Sequence, residues 1–284
     1  MADEDILHFP DEEELHDLYK CYLKTSKTND IKTIFDSMKE LVRDVNMIFT
    51  PEGLMIKEID DQDSVMVYLF LDNLGGYFCP ETVKIGISIP NFSKLLKNIG
   101  NSLTVCLNIE KDDQCALNME IDNGDPNQTK CWSIKLMDLD EKSGEPELPD
   151  IDYSYKIFMK SADFKNICQD VKATGAKNLK ITYLKGEYHF QSESDISDYH
   201  ETRRSQKPMA DYLDNDDEEE EEEDYADGVY TGLFDVEHLS CFTKCTGASK
   251  YVTLQFENDR PLICEYEVAG GTYRLYLSPV EIED

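Results

Sequence analysis

The stretch DIKTIFDSMKELVRDV at residues 30–45, followed by NMIFT at 46–50, PEG at 51–53 and LMIKEI at 54–59, decides the fold. Ile31, Ile34, Phe35, Met38, Val42 and Val45 recur at helical spacing and form one apolar stripe. Residues 46–59 are largely apolar and broken by a Pro-Glu-Gly turn, which predicts a strand hairpin. The same order of helix, strand, tight turn and strand returns three more times. The second copy has its helix at 91–99 and strands at 103–109 and 115–121 about a turn at 111–114. The third runs 162–173, 179–184, a Lys185-Gly186 turn and 187–191; the fourth runs 236–246, 251–256, a turn at 258–261 and 262–268. A unit reused at this spacing is one supersecondary motif repeated. Two helices on one face of a curved antiparallel sheet, formed twice, make an α+β fold of two similar domains, each of two helix–strand repeats.

Gly100, Gly175 and Gly247 stand just past the last apolar helical positions, where a left-handed cap residue is expected. Asn91 and Ser161 stand where an N-cap would satisfy free backbone N–H groups. Between the repeat pairs, residues 137–153 hold Gly144, Pro146, Pro149 and many carboxylates without periodicity, so this segment reads as a connecting loop. The expected organisation is an acidic N-terminal extension at 1–17, a first domain at 18–136, the loop at 137–153 and a second domain at 154–284. Inside the second domain, 207–228 is an acidic insertion in which, from Asp214 to Asp224, only Asn215 is not a carboxylate.

The chain has 284 residues, 60 Asp and Glu, 28 Lys and Arg and a formal net charge of −32. Such acidity taken alone argues against nucleic acid and anionic membranes as partners. The carboxylates are clustered, however, and blocks of like charge are usually solvated tails or loops. The placement of the lysines therefore decides. No apolar stretch approaches the roughly 20 residues needed to cross a membrane. Nine cysteines, several inside apolar runs (Cys106, Cys168, Cys264), suit a reduced intracellular setting.

In the first helix Lys32, Lys39 and Arg43 fall at i, i+7 and i+11, and at about 100° per residue they lie within roughly 40° of each other and form a basic ridge. The second helix shows Lys94 and Lys97, the third Lys165 and Lys172, the fourth Lys244. Lysines on the polar face of a single amphipathic helix are ordinary. Four equivalent helices doing so in a chain with twice as many acids as bases is not. If the four line one concave surface, it is a positive track, screened from the outer carboxylates beyond a Debye length of roughly 8 Å. Lysine–phosphate contacts of this kind hold DNA without reading its sequence.

The segments KLMDLD at 135–140, FKNICQD at 164–170, CFTK at 241–244, PLICEY at 261–266 and YLSPVEIED at 276–284 fall in the order and at the separations of one family. From about residue 18 to the end, excluding 207–228, the chain resembles the proliferating cell nuclear antigen (PCNA) type of DNA sliding clamp. The resemblance implies a closed ring, usually a homotrimer, with sheets outside and helices lining the hole. It encircles duplex DNA without sequence preference as a non-enzymatic polymerase processivity factor in replication and repair. Lys32, Lys39, Lys94, Lys97 and Lys244 occupy positions where the family carries DNA-facing bases; Asn166 and Gln169 stand where it often carries arginine, so Lys165 and Lys172 would have to substitute. A second site is implied: a hydrophobic pocket under the connecting loop, formed by Ile59, Met66, Leu148, Pro149, Pro261, Tyr276, Ser278 and Pro279. It would receive a glutamine and double-aromatic peptide motif from a polymerase, a clamp loader and other proteins. Edge strands at about 129–136 and 196–204 would join neighbouring subunits. The insertion at 207–228 departs from the family there, either losing a strand or bulging from the rim. A monomeric factor, or one subunit of a hetero-oligomeric checkpoint-type clamp, thus stands as the alternative. The resemblance fits a cell nucleus or a viral replication compartment.

Other chemistry is not supported. Cys241 and Cys245 share a helix face but lack a second ligand pair for zinc, and 60–63 and 122–125 lack the spacing of a calcium loop. The five histidines are isolated along the chain, no nucleophile motif or phosphate loop is present, and neither metal nor cofactor is expected. A nuclease built on carboxylate clusters fails for want of a basic partner. Lys185 lies one position from a lysine that the family modifies.

Overall fold

The structure, a computed structural model, describes residues 10–99, 104–122, 129–139, 148, 153–204, 229–268 and 270–280. The chain divides into two compact units. The first comprises Met1–Asp61, Val67–Pro146 and Val268–Tyr273; the second comprises Gln62–Met66, Glu147–Glu267 and Arg274–Asp284.

The first unit begins with α1 (Glu12–Leu18), β1 (Tyr19–Thr25), α2 (Thr28–Met38), β2 (Asp44–Thr50) and β3 (Gly53–Ile59). Then come β4 (Val65–Leu71), which starts in the second unit's short segment, β5 (Gly76–Phe78), β6 (Val83–Ser88) and α3 (Ile89–Leu96). It ends with β7 (Thr104–Glu110), β8 (Ala116–Asp122) and β9 (Thr129–Lys135). One sheet has the order β5-β1-β7-β8-β9, and a second ladder runs β6-β2-β3-β4. The helices bury the expected stripe: Ile31, Ile34, Phe35 and Met38 of α2, and Phe92 and Leu96 of α3, are all nearly inaccessible. Phe35 and Phe92 meet edge to face with centroids 4.8 Å apart, a geometry that adds about 1 kcal/mol to plain burial. At the β2–β3 turn Thr50 pairs with Gly53, where a Cβ would stand 2.3 Å from the carbonyl oxygen of Leu71, so only glycine fits.

The second unit contains β10 (Tyr155–Lys160), α4 (Ser161–Ala173), β11 (Asn178–Leu184), β12 (Glu187–Ser192) and β13 (Tyr199–Arg203). It continues with β14 (Val229–Asp235), α5 (Val236–Phe242), β15 (Tyr251–Phe256), β16 (Leu262–Val268) and β17 (Gly271–Leu277), with the end of β16 and the start of β17 belonging to the first unit. One sheet has the order β13-β12-β11-β14, and β10, β15 and β16 form a second ladder. Phe164, Ile167, Cys168 and Val171 of α4 and Leu239 and Phe242 of α5 supply the buried face. Cys168, Cys245 and Cys264 are core thiols here, and burial pushes Cys168 and Cys264 well up. None of the nine cysteines forms a disulfide.

All four repeats are present, and the departures are local. The first helix ends at Met38, not at 45: the N–H groups of Leu41 and Val42 both bond to the Met38 carbonyl, closing the turn. Val42 and Val45 still face the core, at 4% and 0% exposure, because β2 enters on the same side. Asn91 lies inside α3, whose N-cap is Ser88. Pro90 opens that helix with a fixed φ and no orphaned N–H. Ser161 is likewise the first residue of α4 after an extended Lys160, and its hydroxyl donates to the Ser249 carbonyl at 2.7 Å. Gly175 is left-handed at φ +79° as expected, whereas Gly247 closes a 3-10 turn (Thr243–Gly247) without positive φ, and Gly100 lies outside the described residues. Lys185 and Gly186 both have positive φ, as a two-residue hairpin turn demands.

Part of the acidic N-terminal segment falls within the described residues as α1. Asp11 caps α1 by accepting from the Glu14 N–H at 2.9 Å, and Leu15 packs on Tyr22 and Cys106. The insertion at 207–228 lies outside the described residues, but the strands flanking it are in register, β13 on β12 and β14 on β11.

Candidate functional site

The lysines expected to face DNA lie on α2–α5 or close to their ends. In the first unit Lys32 is half-buried on α2, Lys39 is its C-cap, and Lys94 and Lys97 are exposed in and just after α3. Asp36 joins the two helices. Its carboxylate accepts from Lys39 Nζ at 2.5 Å, Lys97 Nζ at 3.2 Å and the Ser93 hydroxyl at 3.3 Å. Partial burial pushes the Asp36 carboxyl up, but the hydrogen bonds from Lys39 and Lys97 outweigh it and hold the group below the ordinary aspartate value. Arg43 belongs to no helix: it is exposed in the bend before β2, and its carbonyl accepts from the Ile89 N–H at 2.7 Å. The ridge of three bases expected on one helix is therefore one helical position, one C-cap and one loop position.

In the second unit Lys165 is half-buried on α4, Lys172 is exposed in its last turn, and Lys244 is exposed on the 3-10 turn. Lys172 pairs with Glu237 of α5 at 2.6 Å. Arg203 of β13 ties the sheet to α4 through Asp163 at 2.9 Å and also bonds Glu201. Sequence reading missed these carboxylates. Asp36, three residues before Lys39, was legible as a helical pair; no local spacing links Lys172 to Glu237. Over α2–α5 and their 3-10 turns the lysines are Lys32, Lys94, Lys97, Lys165, Lys172 and Lys244, and the acids are Asp30, Asp36, Asp163, Asp170 and Glu237. Against 28 bases and 60 acids in the whole chain, near-parity is a local enrichment in base, but these surfaces are not purely basic.

The residues expected to form a peptide pocket divide between the units. Ile59 ends β3 in the first and is half-buried. In the second, Met66, Leu148 and Pro261 are half-buried, Tyr276 is buried at 4%, Pro279 is exposed, and Pro149 lies outside the described residues. The Tyr153 hydroxyl donates to the Pro261 carbonyl at 3.1 Å. Burial and the neighbouring Tyr276 push the Tyr153 phenol up. Ser278 donates its N–H to the Ser64 carbonyl at 2.9 Å, fixing the chain after β17. A shallow cavity of about 190 Å³ in the first unit, lined by Lys20, Ile85, Gly86, Ile109, Gln114 and Met137 among others, includes none of these residues.

The expected edge strands are end strands of their sheets: β9 beyond β8, and β13 beyond β12. Among the described residues no three His, Cys, Asp or Glu side chains gather as metal ligands, and no helix is long and apolar enough to cross a membrane. The histidines are less isolated than their spacing suggests, since His189 of β12 and His200 of β13 meet with ring nitrogens 3.3 Å apart.

Comparison with known proteins matches the chain to two family descriptions in succession: proliferating cell nuclear antigen, N-terminal domain, over residues 22–144, and its C-terminal domain over 147–281. A probable DNA polymerase sliding clamp 1 of Paramecium bursaria Chlorella virus 1 is 28% identical over 263 residues, covering 91% of this chain and 96% of that protein. Proliferating cell nuclear antigen of Caenorhabditis elegans is 28% identical over 257 residues, covering 89% and 94%. The crystal structure of the corresponding antigen from Entamoeba histolytica superposes with a TM-score of 0.76 at 20% identity, covering 93% of this chain and all of that one, which is agreement in fold. With α+β units, antiparallel sheets, and the N- and C-terminal matches running consecutively through nearly the whole chain, the protein belongs to the proliferating cell nuclear antigen family of sliding clamps.

Proposed function

We propose that the chain is a DNA polymerase processivity factor, a ring-shaped clamp that encircles duplex DNA without sequence preference and has no catalytic activity of its own. The consecutive family matches over 22–144 and 147–281 carry this reading. The α2–α3 and α4–α5 pairs, with their lysines, form the DNA-facing surface. Parity of charge there, in a chain of net charge −32, suits loose contact: encirclement keeps the clamp on DNA while weak phosphate contacts let it move. Segments 1–17 and 207–228 are additions to the two clamp domains, joined by the loop at 137–153.

The ring is a homotrimer closed by β9 of one subunit adding to β13 of the next. Among the described residues both are end strands of their sheets, the position from which strand addition proceeds. Polymerase, clamp loader and repair proteins dock a glutamine and double-aromatic motif against Ile59, Met66, Leu148, Pro149, Pro261, Tyr276, Ser278 and Pro279. The site of action is the nucleus or a viral replication compartment.

Sedimentation at micromolar concentration tests closure. A species of three times the 32.7 kDa chain mass is expected, and monomer alone overturns the homotrimer. Rings that form only with a different subunit would establish the hetero-oligomeric reading instead. Function is tested on nicked circular DNA after loading. The clamp should survive a high-salt wash there and be lost when the circle is cut, whereas equal retention on both forms overturns encirclement.

A further inference from the structure

The hairpin that brings β12 against β13 places three donor atoms together on the outer face of the second unit's sheet. His189 pairs with Thr202 across the ladder, and Gln191 pairs with His200, so His189, Thr202 and His200 share one face. That face is the one opposite the core, since Tyr188 and Phe190, the neighbours of His189, are buried. His189 Nδ1 lies 3.3 Å from His200 Nε2 and 3.0 Å from Thr202 Oγ1; Thr202 Oγ1 and His200 Nε2 are 3.5 Å apart. The triangle has a chemical meaning. Ligands about 2.0–2.1 Å from a zinc-like ion stand roughly 2.9 Å apart at the corners of an octahedron and 3.4 Å apart at those of a tetrahedron. The observed separations span this range. On the adjoining strand, Thr182, paired directly with His189, carries a buried hydroxyl oxygen with no hydrogen-bond partner among the described residues.

We propose that His189 and His200, with the Thr202 hydroxyl beside them, form a surface site for a divalent transition-metal ion on the outer face of the β12–β13 hairpin. Two imidazoles on an exposed face select copper, nickel or zinc over magnesium or calcium, whose ligands are hard oxygens. Each ring coordinates in its neutral form, carrying its proton on the far nitrogen: Nε2 of His189 and Nδ1 of His200. Water completes the coordination sphere. The ion clips an end strand to its neighbour across the ladder.

Full-length protein, stripped of metal with a chelator, is titrated at neutral pH with copper(II), nickel(II) and zinc(II) salts, by calorimetry and, for copper, by electron paramagnetic resonance. One equivalent of copper is expected to bind most tightly, following the usual divalent order, with nitrogen hyperfine structure in its spectrum. His189→Ala and His200→Ala should each weaken it by about 10-fold or more, and Thr202→Ala by a few-fold. His189→Asn and His200→Asn, closer in shape, should show the same loss with an unchanged melting temperature. Copper affinity equal in the wild type and both histidine variants would assign the ion to the carboxylates of 207–228 and overturn the site. So would a spectrum without nitrogen ligands, or no binding to the wild type.

Discussion

The helix pairs of the two units bury similar faces and differ in how they treat their lysines. Between α2 and α3, one half-exposed carboxylate, Asp36, accepts from Lys39 and Lys97 and from Ser93, so two bases share one internal counter-ion. Between α4 and α5, an ion pair joins Lys172 to Glu237, with the side chains 49% and 73% exposed. The first arrangement holds Lys39, 25% exposed, close to Asp36, while Lys97 at 59% is as open to solvent as Lys172 at 49%. Solvent-exposed pairs of this kind contribute about 0–1 kcal/mol. Beneath the charges, Phe35 packs on Phe92 in the first pair, and Phe164 and Phe242 are buried in the second. Charge distinguishes them for any polyanion that approaches.

The largest effect should come from what they share. Phe92→Ala in the first unit and Phe164→Ala in the second should each cost about 3–5 kcal/mol, because both rings are fully buried. Denaturant melts read this, and a loss confined to one variant would break the equivalence. Next in size, Lys97→Glu should weaken retention on duplex DNA by about 10-fold and Lys172→Glu by less, since Lys172 is paired with Glu237 at 2.6 Å whereas Lys97 shares Asp36 with Lys39 and lies farther from it, at 3.2 Å. Equal losses in a filter-binding assay would erase the distinction. Asp36→Asn acts in the opposite direction. It removes the counter-ion of Lys39 and Lys97, so DNA affinity should rise a few-fold and the salt dependence steepen by up to about one phosphate contact; Glu237→Gln should change affinity less.

Acid tests the Asp36 cluster. The Asp36 carboxyl titrates below its ordinary value, so it contributes stability that is present above about pH 4 and lost as pH falls through the folded-state value. The melting gap between wild type and Asp36→Asn should therefore be open at neutral pH and close in acid. A gap that stays constant to the lowest pH at which the protein folds would contradict it. Smallest of all, Glu237→Gln should shift the melting temperature by no more than about a degree or two, within the range of an exposed pair.

Local rules made much of the fold legible in the chain. Helical spacing at Ile31, Ile34, Phe35 and Met38 found α2, and the Lys185-Gly186 dipeptide found its hairpin turn. Helix ends were harder, because the apolar spacing runs on through Val42 and Val45 although those side chains reach the core from a turn and a strand. Side-chain partners across elements were not legible. Nothing near Lys172 points to a residue 65 positions away, and the meeting of His189 with His200 depends on the β12–β13 register rather than on spacing. Tyr276 reads from its place near the acidic terminus as open to a ligand, yet β17 buries it.

Gly53 limits how the gene can vary. The oxygen it faces belongs to the backbone of Leu71, which has no rotamer to change and cannot swing aside. Every single-nucleotide replacement of a glycine codon that yields another amino acid adds at least a Cβ, so each would force apart β3 and β4. A saturation library of this chain should therefore lose position 53 almost entirely, while the neighbouring Glu52, exposed in the same turn, drifts freely.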